Sequence, residues 1–132
     1  MAKKILVVED NEMNLELASD ILEANGYIVM QAQGGEEALQ IAREHRPDLI
    51  LMDIQLPEMD GLEATRLLKA DANTNSIKVV ALTAHAMLGD EEKARDAGCS
   101  GYIAKPINVR IFADTVAGFL EDDETLNADD RQ

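Results

Sequence analysis

The chain contains a single cysteine, Cys99, so no disulfide can form within it. Its N-terminus also lacks a long apolar run. The first apolar run, at residues 5–8, has four residues, whereas a secretory signal needs roughly 7–15 and a membrane span about 20. These absences predict a cytoplasmic location, and we expect Cys99 to be a small buried hydrophobe.

Basic residues are scarce as well: 12 Lys and Arg stand against 26 Asp and Glu, for a formal charge of −14. This charge repels the phosphates of nucleic acids and anionic lipid headgroups, so we expect neither nucleic acid nor membrane as a partner. Six of the acids lie in residues 121–132. The sequence therefore predicts one folded domain at residues 1–120 and an acidic, mobile C-terminal tail at 121–132.

Apolar runs rich in Val, Ile and Leu alternate with helix-like stretches along the domain. The runs are residues 5–8, 27–30, 49–52, 77–82 and 101–104. This alternation predicts an α/β fold, a doubly wound parallel sheet of five strands with helices on both faces. The third run is apolar at four consecutive positions, as expected of a strand buried on both sides.

Helical spacing of apolar residues predicts the connecting helices. The first is expected at residues 11–25, where Gly26 can take the left-handed conformation that ends a helix. The second and third are expected at 36–44 and 62–70. The fourth, at 87–97, has few apolar residues and should be the least firmly held. Asn108 is available to cap the last helix, whose apolar face comprises Phe112, Val116, Phe119 and Leu120.

Polar residues that could bind a metal ion or take part in a reaction lie at the ends of the predicted strands: Glu9, Asp10, Asp53, Thr83 and Lys105. Because the carboxyl ends of parallel strands share one edge of the sheet, these side chains should converge there. Three adjacent carboxylates repel one another unless a pKa rises or a divalent cation lies between them, and Mg²⁺ suits oxygen ligands. With an ammonium and a hydroxyl nearby, the Asp53 carboxylate could act as a nucleophile toward a phosphoryl group.

Each of these residues also has a purely structural interpretation. Asp10 or Asn11 could cap the first helix, Asp53 could belong to a turn, and Lys105 could be a surface charge. Their joint arrangement is what favours chemistry.

Four segments carry the residues singled out above: Val7-Val8-Glu9-Asp10-Asn11, Asp53-Ile54-Gln55-Leu56-Pro57-Glu58-Met59-Asp60-Gly61, Thr83-Ala84 and Lys105-Pro106. In their order and spacing these motifs resemble the receiver domains of two-component systems, over residues 4 to about 120. Within the family the chain is most similar to DivK-type single-domain regulators. The resemblance implies a flavodoxin-like, CheY-like (βα)5 fold with strand order 2-1-3-4-5.

The resemblance also implies a role for each matching residue. Asp53 would be the phosphorylation site. Mg²⁺ would be bound by Asp10, Asp53 and the backbone carbonyl of Gln55, with Glu9 supporting the ion partly through water.

Lys105 would contact the phosphoryl oxygens, and a cis Lys105-Pro106 bond would direct its ammonium toward Asp53. Thr83 would move to hydrogen-bond the phosphoryl group, and Tyr102 would turn inward with it. Gln55 and His85 would influence the lifetime of the acyl phosphate.

The implied function is that of a phosphoacceptor rather than an enzyme, although one that promotes its own phosphorylation and dephosphorylation. A histidine kinase or histidine phosphotransferase would supply the phosphoryl group. A downstream protein would bind the face made by the fourth helix, fifth strand and fifth helix, and the chain would be a monomer or a phosphorylation-dependent dimer.

Three other functions agree less well with the sequence. A phosphohydrolase with an aspartate nucleophile needs a second Asp where Gln55 stands. A flavin-binding electron carrier needs a phosphate loop after the first strand, where Glu9, Asp10 and Glu12 would repel phosphate. A receiver fold that is not phosphorylated usually lacks an acidic or lysine position, and none is lost here.

Overall fold

The computed structural model describes residues 2–83 and 90–130, with the side chains of 2–83 and 92–121. Within these residues, strands and helices alternate from one end to the other. In chain order they are β1 (Lys4–Val8), α1 (Glu12–Ala24), β2 (Ile28–Ala32), α2 (Gly35–His45), β3 (Leu49–Asp53), α3 (Gly61–Ala70), β4 (Lys78–Thr83), α4 (Asp90–Ala97), β5 (Gly101–Ala104) and α5 (Phe112–Asp130).

The five strands form one parallel sheet in the order β2-β1-β3-β4-β5. This confirms the predicted doubly wound, flavodoxin-like fold. β3 lies at the centre, and all five of its residues are buried. The register pairs Asp53 at the end of β3 with Leu82 in β4, and Thr83 at the end of β4 with Ala104 in β5. The ends of these strands therefore lie along a single edge.

Helices cover both faces of the sheet, and each face has its own apolar core. α1 and α5 pack on one face, where Leu22 and Phe112 meet Val7 and Leu51. α2, α3 and α4 pack on the other, where Leu39, Leu68 and Ala94 meet alternate residues of the same strands, such as Met52. The predicted apolar face of α5 is confirmed, and Cys99 is buried as predicted. Apolar area removed from water on both sides holds the central strands rigid.

Local signals in the sequence set the ends of the first and third helices. The Asn11 side chain accepts a hydrogen bond from the Asn14 amide, 3.0 Å away, and so caps α1. Gly26 follows α1 with a φ of +91°, as predicted for its role in ending the helix. Asp60 caps α3 in the same way by accepting from the Glu63 amide at 2.8 Å.

The second strand differs from its prediction at both ends, because 27–30 was expected and Ile28–Ala32 is found. Tyr27 still belongs to the turn after α1, since its amide donates to the Leu22 carbonyl. Gln31 is polar and lies beyond the apolar run, but it belongs to the strand, and its amide group donates to the Ser19 hydroxyl of α1 at 2.8 Å. That hydrogen bond allows a polar residue within an edge strand.

The ends of the last two helices also differ from the sequence prediction. α4 begins at Asp90 in the described part of the chain, and the predicted residues 87–89 lie outside it. The Asn108 side chain caps the turn that leads into α5, by accepting from the Arg110 amide, rather than the first residue of the helix. The α5 backbone runs to Asp130, past the expected boundary at residue 120. The mobility of residues 121–132 stays a prediction.

The described helices include none that is both long enough and apolar enough to span a membrane.

Candidate functional site

The carboxyl edge of the sheet gathers the side chains that the sequence singles out. Glu9 and Asp10 follow β1, Asp53 ends β3, and Lys105 follows β5. Glu9 and Asp53 are each 2% exposed, whereas Asp10 lies at the surface. The predicted convergence of these residues is confirmed.

The Lys105 ammonium joins the two buried carboxylates. Its Nζ donates to Glu9 Oε1 at 2.9 Å and to Asp53 Oδ2 at 3.2 Å. The Lys105-Pro106 peptide bond is cis, as the resemblance implied. Both contacts are charge-assisted hydrogen bonds, and they are little screened by water because the two carboxylates are buried and the Lys105 side chain is only 15% exposed.

Burial and mutual repulsion shift the ionisation of these groups. Burial first, and then the neighbouring Glu9 carboxyl, raise the pKa of Asp53 from 3.8 to about 6. Burial also opposes ionisation of Glu9, but hydrogen bonds from Lys105 and from the Asn11 amide outweigh it and lower the pKa of Glu9. The pKa of Lys105 is raised because its two carboxylate partners outweigh the effect of burial.

The three acidic residues provide a set of ligand atoms suited to a hard cation. One carboxylate oxygen from each of Glu9, Asp10 and Asp53 lies within 4.8 Å of the others. Because Asn11, and not Asp10, caps the N-terminus of α1, the Asp10 carboxylate is not used in starting the helix. All-oxygen carboxylate sites of this kind fit Mg²⁺, whose charge would offset the repulsion between them.

The loop after β3 closes against the end of the strand. The Ile54 amide donates to the Leu82 carbonyl at 3.0 Å, and the Gly61 amide donates to the Ile54 carbonyl at 2.9 Å. The Gln55 amide donates to Asp53 Oδ1 at 3.0 Å and so fixes the oxygen that Lys105 does not contact. Both Asp53 oxygens thus have a hydrogen-bond donor.

The two remaining predicted residues lie in neighbouring strands. Thr83 is buried at the end of β4, and its carbonyl accepts from the Lys105 amide at 2.7 Å. Tyr102 is half-buried in β5 and packs against the core under α2, α3 and α4. Ala84 and His85 lie outside the described residues.

A comparison with protein families identifies the family to which the chain belongs. The model of the response regulator receiver domain matches residues 5–117, which is most of the chain. The chain belongs to the response regulator receiver domain family. Receiver domains are phosphoacceptors of two-component signalling that interact with histidine kinases or phosphotransferases and with downstream targets, and they generally bind Mg²⁺ at an acidic pocket.

Individual relatives support this membership. The polar-differentiation response regulator DivK of Brucella anthropi is 54% identical over 122 residues, which cover 92% of this chain and 99% of that protein. A receiver domain of a sensor histidine kinase from Pseudomonas aeruginosa PAO1 is 36% identical with a TM-score of 0.81, covering 92% of this chain and 97% of the other. The chemotaxis response regulator CheY4 of Vibrio cholerae is 26% identical with a TM-score of 0.84, covering 89% and 98%.

Two features of this receiver site were missed from the sequence. The direct contact between Lys105 and Glu9 was not expected, since Glu9 was assigned only a supporting role for the metal. The tight packing of Gly61 on the Asp53 backbone was not expected either, since the sequence shows Gly61 only as the last residue of the motif that begins at Asp53. Both features depend on how separate segments pack together, and the spacing of residues along the sequence does not predict that packing.

Proposed function

We propose that Asp53 accepts a phosphoryl group from a phosphohistidine on a partner protein, a histidine kinase or a histidine phosphotransferase. The observation that carries this proposal is the position of the Lys105 ammonium, 3.2 Å from a buried Asp53 carboxylate within a group of three acids. Such a site offers a nucleophile, a cation to balance charge on the phosphoryl oxygens, and room for a metal ion.

The transfer is a displacement at phosphorus. An Asp53 oxygen attacks the phosphorus atom, a P–O bond forms, and the P–N bond to the donor imidazole breaks. The imidazole leaves and takes its proton from solvent. Lys105 holds the phosphoryl oxygens by charge, while the Gln55 amide orients the second Asp53 oxygen.

Mg²⁺ fits the acidic cluster, and we assign its ligands to Asp10, Asp53 and the backbone carbonyl of Gln55, with Glu9 in support. When bound, the ion neutralises charge on the carboxylates and on the incoming phosphoryl group. The structure of the Pseudomonas aeruginosa relative is described as having a magnesium ion coordinated in its active-site cleft, which supports the same chemistry here.

The phosphoryl group is proposed to switch a protein-binding surface made by α4, β5 and α5. Thr83 moves toward the phosphoryl group, and Tyr102 follows it inward. A cavity of about 380 Å³ between β5 and the start of α5 supports this model, because Tyr102 and Phe112 both line it. The downstream partner is a protein in the cytoplasm, bound by a monomer or a phosphorylation-dependent dimer, with no nucleic acid or membrane involved.

Incubation with acetyl phosphate and Mg²⁺, followed by intact-mass measurement, tests the proposal. The wild-type chain should gain the mass of one phosphoryl group, and Asp53→Asn should gain none. Asp48→Asn is the matched control, because Asp48 is an exposed acid next to the opposite end of the same strand and should leave labelling unchanged. Labelling that persists in Asp53→Asn would reject the assignment.

A further inference from the structure

Gly61 begins α3, seven positions along the chain from Ile54, yet it lies directly against the end of β3. A Cβ atom placed on Gly61 would meet the Asp53 carbonyl oxygen at 2.0 Å, the Asp53 carbonyl carbon at 2.8 Å and Ile54 Cα at 3.0 Å. All three are backbone atoms, so no side-chain rotation can relieve the overlap. The Gly61 amide donates to the Ile54 carbonyl, which draws the two segments together.

The Asp53 backbone cannot easily give way to such an atom. β3 is hydrogen-bonded on one side to β1 and on the other to β4, and its residues are buried. The Ile54 amide continues this ladder by donating to the Leu82 carbonyl. The displacement would therefore fall on the loop at residues 54–60 or on the orientation of the Asp53 peptide, because the sheet is the stiffer part.

The requirement at position 61 concerns space and not backbone conformation. Gly61 does not have a positive φ, unlike Gly26 and Gly98. An alanine could adopt the same backbone angles, and what forbids it is the overlap with the backbone atoms of Asp53 and Ile54. The effect of adding a methyl group can therefore be assigned to that contact.

We propose that Gly61 is a positioning residue for Asp53, which lets the loop at 54–60 close on β3 and hold the Asp53 carboxylate between Lys105 and the Gln55 amide. The inference rests on the proposed function for its consequence in phosphoryl transfer. The position of the Asp53 carboxylate can also be tested without phosphoryl transfer, because the proposed Mg²⁺ site uses the same carboxylate.

The test compares Gly61→Ala with Gly34→Ala in the full chain. Gly34 also stands at the start of a helix, but a Cβ there would have nothing within 4 Å. The measurements are the Mg²⁺ dissociation constant by calorimetry and the rate of labelling by acetyl phosphate. We expect Gly61→Ala to weaken Mg²⁺ binding and to slow labelling by about tenfold or more, since misplacement of a reacting group by about 1 Å can slow a reaction by about a hundredfold. Gly34→Ala should match the wild type.

A loss of folding would mimic these losses, so circular dichroism and the midpoint of thermal unfolding accompany each variant. If Gly61→Ala is unstable, the measurements are repeated in trimethylamine N-oxide, which favours the folded state. A folded Gly61→Ala chain with wild-type Mg²⁺ affinity and labelling overturns the inference. So does a variant that stays unfolded in the osmolyte, since the glycine would then serve the fold alone.

The outcomes also separate this inference from the proposed function. Absence of labelling in the wild type as well as in both variants contradicts the proposed function. Weaker Mg²⁺ binding confined to Gly61→Ala would in that case still support the positioning of Asp53.

Discussion

Asp53 shows how burial within an acidic cluster affects a carboxylate. Its side chain is 2% exposed and shares its surroundings with the Glu9 carboxylate, and these conditions raise its pKa to about 6. Lys105 offsets only part of the repulsion between the two carboxylates, because its ammonium is shared by hydrogen bonds to Glu9 and to Asp53. The ionised Asp53 carboxylate is therefore expected to lower the free energy of unfolding of the free protein. Binding of a cation to the acidic cluster should recover that stability.

In metal-free buffer, Asp53→Asn should stabilise the fold near neutral pH by about 3 kcal/mol, the free-energy equivalent of raising the pKa from 3.8 to about 6. The folded-state pKa lies above the unfolded value of 3.8, so the wild type loses stability as the pH rises from about 4 through about 6. The advantage of the variant should shrink over the same range as the pH falls. Urea unfolding with a chelator, at a series of pH values, measures this.

Asp71→Asn provides the opposite case. The Asn73 amide and the Arg43 guanidinium lower the pKa of Asp71, which sits in an exposed ion pair. Its charge contributes stability that is present above the unfolded pKa and lost as the pH falls. Asp71→Asn should therefore lower stability slightly at neutral pH, and a gain in stability for both variants would contradict the role of burial at Asp53.

The residues at the carboxyl edge of the sheet could be predicted because of one topological rule. Parallel strands present their carboxyl ends together, so the polar residues that end apolar runs had to be neighbours. The individual hydrogen bonds could not be predicted in this way. Whether Lys105 reaches Glu9, Asp53 or both depends on distances of less than an ångström, and these follow from packing across the whole sheet.

At the scale of elements, burial decides which strands the sequence can predict. β1, β3 and β4 are buried on both faces and appear as continuous apolar runs. β2 is an edge strand with Ile28 half exposed and Gln31 facing α1, so its composition only partly reflects its environment. Its position shifted by one or two residues for that reason, whereas the central strands agree closely.

Two glycines in open space should respond in opposite directions to the same substitution. A Cβ on Gly118 in α5 or on Gly26 after α1 would have nothing within 4 Å. Gly118→Ala should stabilise the protein by about 0.5–1 kcal/mol, because glycine is a poor helix former. Gly26→Ala should destabilise it by about 1 kcal/mol, since the φ of +91° disfavours a side chain.

Thermal and urea unfolding of both alanine variants test this contrast. If Gly118→Ala is neutral or destabilising, helix propensity at this interior position of α5 does not limit the stability of the protein.

The proposed switch makes a prediction for β5 and the helices beside it. A beryllofluoride mimic of the phosphoryl group, added with Mg²⁺, should change amide hydrogen exchange in residues 90–104, while the centre of β3 remains protected. Asp53→Asn treated in the same way should show no change. Identical exchange in residues 90–104 with and without the mimic would exclude a switch through this surface.

For the whole molecule, the net charge of −14 should make stability depend on salt. Screening of like-charge repulsion is expected to raise the unfolding midpoint when sodium chloride increases from about 0.01 to about 0.5 M, since the Debye length falls from about 30 Å to a few ångströms. Sodium chloride is used because it supplies no divalent ion for the acidic cluster. A midpoint that falls with salt would mean that ion pairs such as Arg43–Asp71 dominate instead.

The overall architecture was the most predictable level of all. Five repeats of apolar run and helix restrict the chain to a doubly wound sheet, and the order of strands followed from the resemblance to receiver domains. The acidic end of the chain was less predictable, because composition indicates solvation there but does not say whether the backbone is helical. α5 indeed continues to Asp130.

The contacts of Lys105 bridge long stretches of sequence, since its acidic partners Glu9 and Asp53 precede it by 96 and 52 residues. A nascent chain still emerging from the ribosome therefore has the acids long before it has the ammonium that faces them. Such a chain cannot bring these three side chains together until synthesis has passed β5 and the sheet has closed. Under the proposed function, a partly synthesised chain that lacks Lys105 is therefore not yet competent to receive a phosphoryl group.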